Sequence, residues 1–341
     1  MDADLDRISS ELAALVREKT GDPRPAIGPL TVLPGHAGLS YAFDLATASA
    51  AGPASRKLVI RLAPEGVPIA GPTDVVRQAR VMASLAGTGV PVPPVLWFDN
   101  DPRYFGRPFF VVGFLEGDKL ALGERTYNAE ETALMTGEAM RALAALHRLE
   151  WEPRRAAWGE PVSLGDEMKR LDNLLDRPTL DPKVVGRAAE LRERLRRTIP
   201  ARTQVGFVHG DFQWSNCLFA GTKLRAVIDW ELSQVGASLI DLGWLCVFSD
   251  RESWVGLEGD GLVPTHARPP EEMAAMYQEA SQRTLGDAEV RWFRAFAGYR
   301  FGVITAFNLM LHRRGKRPDP MWEDIALSGP RLFERGLELL G

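Results

Sequence analysis

The stretch that most restricts the fold is residues 207–231, FVHGDFQWSNCLFAGTKLRAVIDWE. There His209, Asp211, Asn216, Asp229 and Glu231 stand between two strand-like apolar runs. The segment is apolar enough to be buried as a hairpin. It nevertheless holds three carboxylates and an Asn, with no Lys or Arg placed to neutralise them all. Burying a charge without a partner costs on the order of several kcal/mol per ion, so a positive group from outside the sequence is expected. After Asn216 the residues read as a strand (217–219), a turn at Gly221 and a second strand (223–228). On the second strand Leu224, Ala226 and Ile228 alternate with Lys223, Arg225 and Val227, as on a half-buried strand. A hairpin of this kind returns Asp229 beside Asn216. Two oxygen ligands from separate strand ends suit a hard cation such as Mg²⁺.

The rest of the chain narrows the setting. With 341 residues it is long enough for two lobes of ordinary domain size. A net charge of −4 is close to neutral for this length and argues against non-specific nucleic-acid binding. The only cysteines, Cys217 and Cys246, form no CxxC spacing, which fits a reducing compartment. The start, MDADLDRISSELAALV, is acidic and amphipathic, unlike a signal peptide. No apolar run reaches the roughly 18–20 residues of a membrane span, so a cytoplasmic protein with no membrane partner is expected. The five histidines (His36, His147, His209, His266, His312) show no metal-ligand spacing, and neither a G-x-S-x-G elbow nor a G-x-x-x-x-G-K-[ST] loop occurs.

Along the chain, residues 3–19 read as a helix, and LTVLPGHAGLSYAFDLAT and RKLVIRLAP as two strands joined by small residues at 48–55. A helix is predicted over 73–87, with Thr73 as N-cap and Gly87 beyond its end. VPPVLWFDNDPRYFGRPFFVVGFLEG gives two further strands around an Asp-Asn-Asp-Pro turn. From 129 the pattern turns helical: Met135, Ala139, Ala142, Leu143, Leu146 and Leu149 share one face. A helix pair is predicted over 166–197, and 271–341 is mostly helical around Trp292, Phe296, Phe301, Phe307 and Leu311. The expected fold is α+β, with an N-terminal β-rich lobe (1–115) and a C-terminal helical lobe (116–341).

The spacing D-x-x-x-x-N from Asp211 to Asn216 resembles the catalytic loop of protein kinases, with Gly210 in place of the Arg of H-R-D. The block HGDFQWSN…VIDWE is similar to the aminoglycoside phosphotransferase-like superfamily, and VGASLIDLGWL resembles the segment that follows there, through Asp241. GTGVPVPPVLWFDNDPRYFGRPFFVVGFLEG looks most like the branch fused to, or encoded beside, acyl-CoA dehydrogenases. The resemblance covers about residues 28–245. It implies a protein kinase-like two-lobe fold and an ATP- and Mg²⁺-dependent transfer of a phosphoryl group to a hydroxyl of a small-molecule acceptor. Asp211 is then the catalytic residue that orients the hydroxyl and takes its proton. Asn216 and Asp229 hold the metal, and His209 braces the loop. Glu231 either contacts metal or water or hydrogen-bonds the loop; Asp241 supports the site or caps the next helix.

Between the first strands, Gly35, Gly38 and Ser40 offer backbone N–H groups that can cradle phosphate. Arg61 on LVIRLAP stands where kinases carry the phosphate-pairing Lys, or is a surface Arg of an amphipathic strand. Gln78 stands where the Glu partner of that Lys belongs, and an amide cannot form the ion pair. The adenine is expected against VVGFLEG, at Phe114. No long activation segment ending in A-P-E follows Asp229, which disfavours protein substrates. Two acceptor classes compete. Glu252, Glu258, Asp260, Glu271 and Glu272 form either a receptor for aminoglycoside ammonium groups or a solvated face. The acyl-CoA-dehydrogenase resemblance implies a hydroxylated acyl or carboxylate metabolite, with RRGKR (313–317) as a docking patch or a solvated helix end. A nucleotide-binding pseudoenzyme is the reading of a different class; Gln78 supports it, while Asp211, Asn216 and Asp229 argue against it.

Overall fold

Residues 2–33, 39–49, 52–123, 125–256 and 262–341 are described by a computed structural model of the chain. The chain divides into two compact units. One comprises Met1–Gly87, Val92–Glu116 and Asp229–Leu232; the other comprises Thr88–Pro91, Gly117–Ile228 and Ser233–Gly341.

The first unit opens with helix α1 (Asp2–Thr20) and two short strands, β1 (Ala26–Ile27) and β2 (Thr31–Val32). The long strands β3 (Leu39–Ser49) and β4 (Gly52–Leu62) precede helix α2 (Val75–Ser84); β5 (Val95–Asp99) and β6 (Phe109–Gly113) follow it. All six strands join one antiparallel sheet in the order β1-β3-β4-β6-β5, with β2 also on β3. Tyr41 pairs with Ile60 and Phe43 with Leu58, while Ile60 and Leu62 lie opposite Val111 and Phe109. All of these are buried with Ile8, Leu12, Leu15 and Val16, the helically spaced apolar face of α1. Side chains alternate across a strand. Arg61, between Ile60 and Leu62, is therefore carried on the opposite face, in register with Ser40 and Phe110. A slip of one residue would drive Arg61 into the core and expel side chains worth about 1.5–3 kcal/mol each. Packing thus fixes where Arg61 points.

Helix α2 is shorter than the sequence pattern predicts. Thr73 lies in a 3₁₀ turn (Gly71–Thr73), where its hydroxyl donates to the Pro68 carbonyl at 2.6 Å and accepts from the Ala70 N–H at 3.0 Å. With Thr73 engaged there, Asp74 becomes the N-cap and accepts from the Arg77 N–H at 2.9 Å.

The second unit begins with strand β7 (Asp118–Lys119) and helix α3 (Ala129–Arg148), whose start is fixed by a capping box between Asn128 and Glu131. Met135, Ala139, Ala142, Leu143 and Leu146 form its buried face, as the periodicity requires. Helices α4 (Arg155–Trp158), α5 (Leu164–Leu175), α6 (Pro182–Val185) and α7 (Ala188–Arg197) follow, then strands β8 (Val205–Val208), β9 (Cys217–Ala220), β10 (Lys223–Val227) and β11 (Gln234–Ala237). Helices α8 (Leu239–Val247), α9 (Pro270–Ser281), α10 (Asp287–Arg313), α11 (Met321–Ala326) and α12 (Gly329–Leu340) complete it. The segment 207–231 is not one hairpin. β8 pairs with β11, and β9 turns at Gly221 into β10 while also pairing with β7. The loop between β8 and β9 thus passes from one small sheet to the other. The alternation predicted on β10 also breaks, because a bulge between Leu224 and Ala226 leaves Ala226 and Val227 both buried.

Candidate active site

Within the second unit, the loop after β8 is held from beneath by one buried carboxylate. Asp241, in the first turn of α8 and fully buried, accepts from the His209 N–H at 2.6 Å and from the Gly210 N–H at 2.8 Å. Gly210 has φ +85°, a left-handed conformation that glycine reaches without strain. That geometry explains why a glycine stands between His209 and Asp211. The His209 ring bridges the loop to the second strand of the hairpin. Its Nε2 lies 2.9 Å from the Ile228 carbonyl, which can only accept, so Nε2 carries the proton and Nδ1 accepts from the Asp211 N–H at 3.2 Å. With both nitrogens committed, His209 is a brace. The ladder is extended by the Ile228 N–H, which donates to the Asn216 carbonyl at 2.9 Å.

Asp211 itself is oriented by three side chains. Trp244 Nε1–H donates to Oδ1 at 2.9 Å, Asn216 Nδ2 to Oδ2 at 2.8 Å, and Gln213 Nε2 to both oxygens at 2.9 and 3.1 Å. Asn216 Nδ2 also reaches the Asp211 carbonyl at 2.9 Å. These bonds hold the carboxylate in one rotamer, the condition for a positioned proton acceptor. They also spend the amide nitrogen of Asn216 and leave Oδ1 as its acceptor atom, the donor type a hard cation takes.

Within the first unit, Arg61 meets the two acids that follow β10. Its Nη1 lies 3.1 Å from Asp229 Oδ1 and its Nη2 2.8 Å from Glu231 Oε2. The segment itself places no Lys or Arg to neutralise all three carboxylates; Arg61, brought there by the register of β4, serves two of them. Asp229 sits at φ +64°, a left-handed conformation that Asp tolerates better than most side chains. Helix α2 contributes Arg77, whose Nη2 donates to the Glu231 carbonyl at 2.6 Å. Burial pulls the Arg77 pKa down, against the attraction of Asp74 and Glu231. Gln78 is buried and donates to the Pro72 carbonyl at 2.8 Å; Arg61 makes no hydrogen bond to it. The Glu partner that α2 lacks is thus replaced by acids from another segment.

Of the residues expected around a nucleotide, Gly35 and Gly38 lie outside the described residues. Ser40 pairs with Arg61 in the sheet, and its carbonyl accepts from the Leu33 N–H at 2.8 Å. Phe114 is half-buried at the end of β6; its N–H donates to the Lys57 carbonyl at 3.0 Å, and Lys57 Nζ sits 4.2 Å from its ring centroid. The acids weighed as an ammonium receptor divide into two groups. Glu258 and Asp260 lie outside the described residues. Glu252 and Glu271 pair with Arg335 and Arg294 at 2.8 and 2.5 Å, and Glu272 pairs with Arg268. In the RRGKR segment, Arg313 is bound to Asp181 and Glu323, both at 2.7 Å. Among the described residues no group of three or more His, Cys, Asp or Glu gathers to hold a metal, and no helix is long and apolar enough to cross a membrane.

Sequence reasoning missed Trp244 and His147. Trp244 lies one helical turn beyond Asp241, a spacing that places the two on neighbouring parts of α8. Buried His147 approaches Asp241 Oδ2 at 3.6 Å, too far for a hydrogen bond, and its Nδ1 meets the Tyr277 hydroxyl at 2.8 Å. Burial lowers its pKa, opposed by Asp241.

The chain is 28% identical over 277 residues to probable acyl-CoA dehydrogenase IBR3 of Arabidopsis thaliana, covering 74% of this chain and 33% of that protein. It is 26% identical over 294 residues to acyl-CoA dehydrogenase family member 11 of Gallus gallus, covering 82% and 37%. It therefore spans only about a third of the length of these relatives. Among solved structures, a candidate aminoglycoside phosphotransferase from Ralstonia eutropha superposes with a TM-score of 0.75 at 22% identity, over 97% of this chain and 98% of that one. Aminoglycoside phosphotransferase APH(4)-Ia, solved in a ternary complex with ADP and hygromycin B, gives 0.61 at 15% identity over 96% and 98%. These likenesses establish the kinase-like fold. The sequence profile of the APH phosphotransferase enzyme family matches residues 46–293, most of the chain, and the chain belongs to that family.

Proposed function

We propose that this chain transfers the γ-phosphoryl group of ATP to a hydroxyl of a small molecule. The observation that carries the reading is the Asp211 carboxylate, oriented by Trp244, Gln213 and Asn216 on a loop that Asp241 clamps. In this reading Asp211 accepts the hydrogen bond of the acceptor hydroxyl and takes its proton as the new oxygen–phosphorus bond forms and the bond to the departing ADP breaks. Asn216, through Oδ1, and Asp229 would hold Mg²⁺, whose chemistry is to offset phosphate charge. Arg61 releases its carboxylates in part to reach phosphate, with Gly35, Gly38 and Ser40 supplying backbone donors and Phe114 lying along the adenine. Phosphoryl transfer requires positioning and electrostatics more than covalent chemistry. The bonding described above provides positioning.

For the acceptor we propose a hydroxylated acyl or carboxylate metabolite. Family kinship with proteins named as acyl-CoA dehydrogenases supports this choice, as does the pairing of Glu252, Glu271 and Glu272 with arginines. The test is turnover with Mg-ATP across panels of hydroxyacyl compounds and aminoglycosides, run on wild type and Asp211→Asn. Loss of a general base lowers turnover by about 10²–10⁴-fold, with Mg-ATP affinity retained. Transfer by Asp211→Asn close to the wild-type rate would remove Asp211 from the reaction. Saturable phosphorylation of aminoglycosides alone would overturn the acceptor class.

A further inference from the structure

Helix α10 carries two arginines inside an apolar run, and their circumstances differ. Arg294 is 4% exposed and fully paired, with Nη2 3.2 Å from Asp250 and Nη1 2.5 Å from Glu271. Arg300 is 3% exposed, and among the described residues it makes neither a hydrogen bond nor an ion pair; Nε and Nη1 are buried without partners. Its guanidinium carbon instead lies 4.4 Å from the centroid of the Trp244 ring. That indole donates its Nε1–H to Asp211 Oδ1. A buried cation lacking an anion is thus one indole ring away from the proposed proton acceptor.

Stacking on Trp offsets only a small part of what an unpaired buried ion costs. The acids that attract Arg300 from a distance are already committed. Glu167 is bound by Arg170 at 2.8 Å and Gln234 at 2.6 Å, Asp241 by two backbone N–H groups, and Asp211 by three side chains. Burial lowers the Arg300 pKa in spite of their pull. Nε and Nη1 are enclosed, so Nη2 is the nitrogen that an anion can reach, and a charge-assisted bond there is what the guanidinium lacks.

We propose that Arg300 binds the carboxylate of the acceptor, making the acceptor a hydroxy acid whose hydroxyl meets Asp211 while its carboxylate lies on Arg300. This rests on the reading of Asp211 given above, and it sharpens the acceptor from a broad class to one with a free anionic end. It makes Arg300 the residue that separates anionic acceptors from neutral and cationic ones.

The experiment measures binding of linear hydroxycarboxylates of graded length to the full chain loaded with Mg-ADP, each compared with its own primary amide, by calorimetry. A charge-assisted bond to Arg is worth about a 10- to 100-fold difference in dissociation constant, so at least one acid should exceed its amide by that factor. Arg300→Met should abolish the advantage and Arg300→Lys should restore part of it. Mg-ADP affinity should be the same in all three proteins, which shows that the fold survives. Equal binding of every acid and its amide by wild type, absence of binding included, would overturn the proposal, as would an advantage that persists in Arg300→Met. Failure of the phosphotransfer reading would register separately, as absence of Mg-dependent nucleotide binding or as transfer that survives Asp211→Asn.

Discussion

Removing the Asp241 carboxylate should unsettle the loop that carries Asp211, the proposed proton acceptor, through a residue that touches neither acceptor nor nucleotide in the proposed reaction. Asp241→Ala orphans two backbone donors, the N–H groups of His209 and Gly210, now held at 2.6 and 2.8 Å, and His209 is itself fully buried. Leaving a buried donor unsatisfied costs about 1–3 kcal/mol, so the two together amount to about 2–6 kcal/mol. That is a large part of the roughly 5–15 kcal/mol by which domains are stable. Asp241→Asn keeps one acceptor and turns an NH₂ toward the other N–H, so about half the loss is expected, with charge assistance also removed. The loop carries Asp211, and a misplacement of about 1 Å can cost about 10²-fold in rate. Urea unfolding followed by tryptophan fluorescence should show a lower midpoint for Asn and a much lower one for Ala, and turnover at saturating Mg-ATP should fall in the same order. If Asp241→Ala unfolded at the wild-type urea concentration, or turned over at the wild-type rate, the clamp would not be what holds the loop.

Other tests address single contacts. His147 is buried with its pKa lowered by burial, so below about pH 6.5 the unfolded chain binds a proton that the folded chain refuses, and stability rises with pH through that window. His147→Gln, which keeps a hydrogen-bonding partner for Tyr277 but does not titrate, should lose on the order of 1 kcal/mol less than wild type between pH 7.5 and 5.5; parallel profiles would refute this. At Gly243, on α8, an added Cβ would overlap the backbone carbonyl of Phe293 on α10, which cannot move aside as a side chain could. Gly243→Ala should therefore lower stability by at least the 1–3 kcal/mol typical of overpacking, and an unchanged melting temperature would show that the helices can separate freely.

The local character of the chain was legible in the sequence. The spacing of Asp211 and Asn216, the apolar face of α3 and the change from strand-like to helical periodicity all depend on neighbours a few residues apart. Within such windows a single strand or helix writes its own pattern. Tertiary structure decided the pairings. Arg61 meets Asp229 across 168 positions of sequence because the register of β3, β4 and β6 places it on one face of the sheet and not the other. No window of sequence contains that register. The separation of β8 from the β9–β10 hairpin was hidden for the same reason, since β8 finds its partner in β11 beyond the hairpin. The sequence around Trp244 and Arg300 does not reveal what they touch. Only the packing of α8 against α10 shows that one indole touches both a carboxylate and an unpaired guanidinium, because an ion's environment is set by what folds around it and not by what flanks it in the chain.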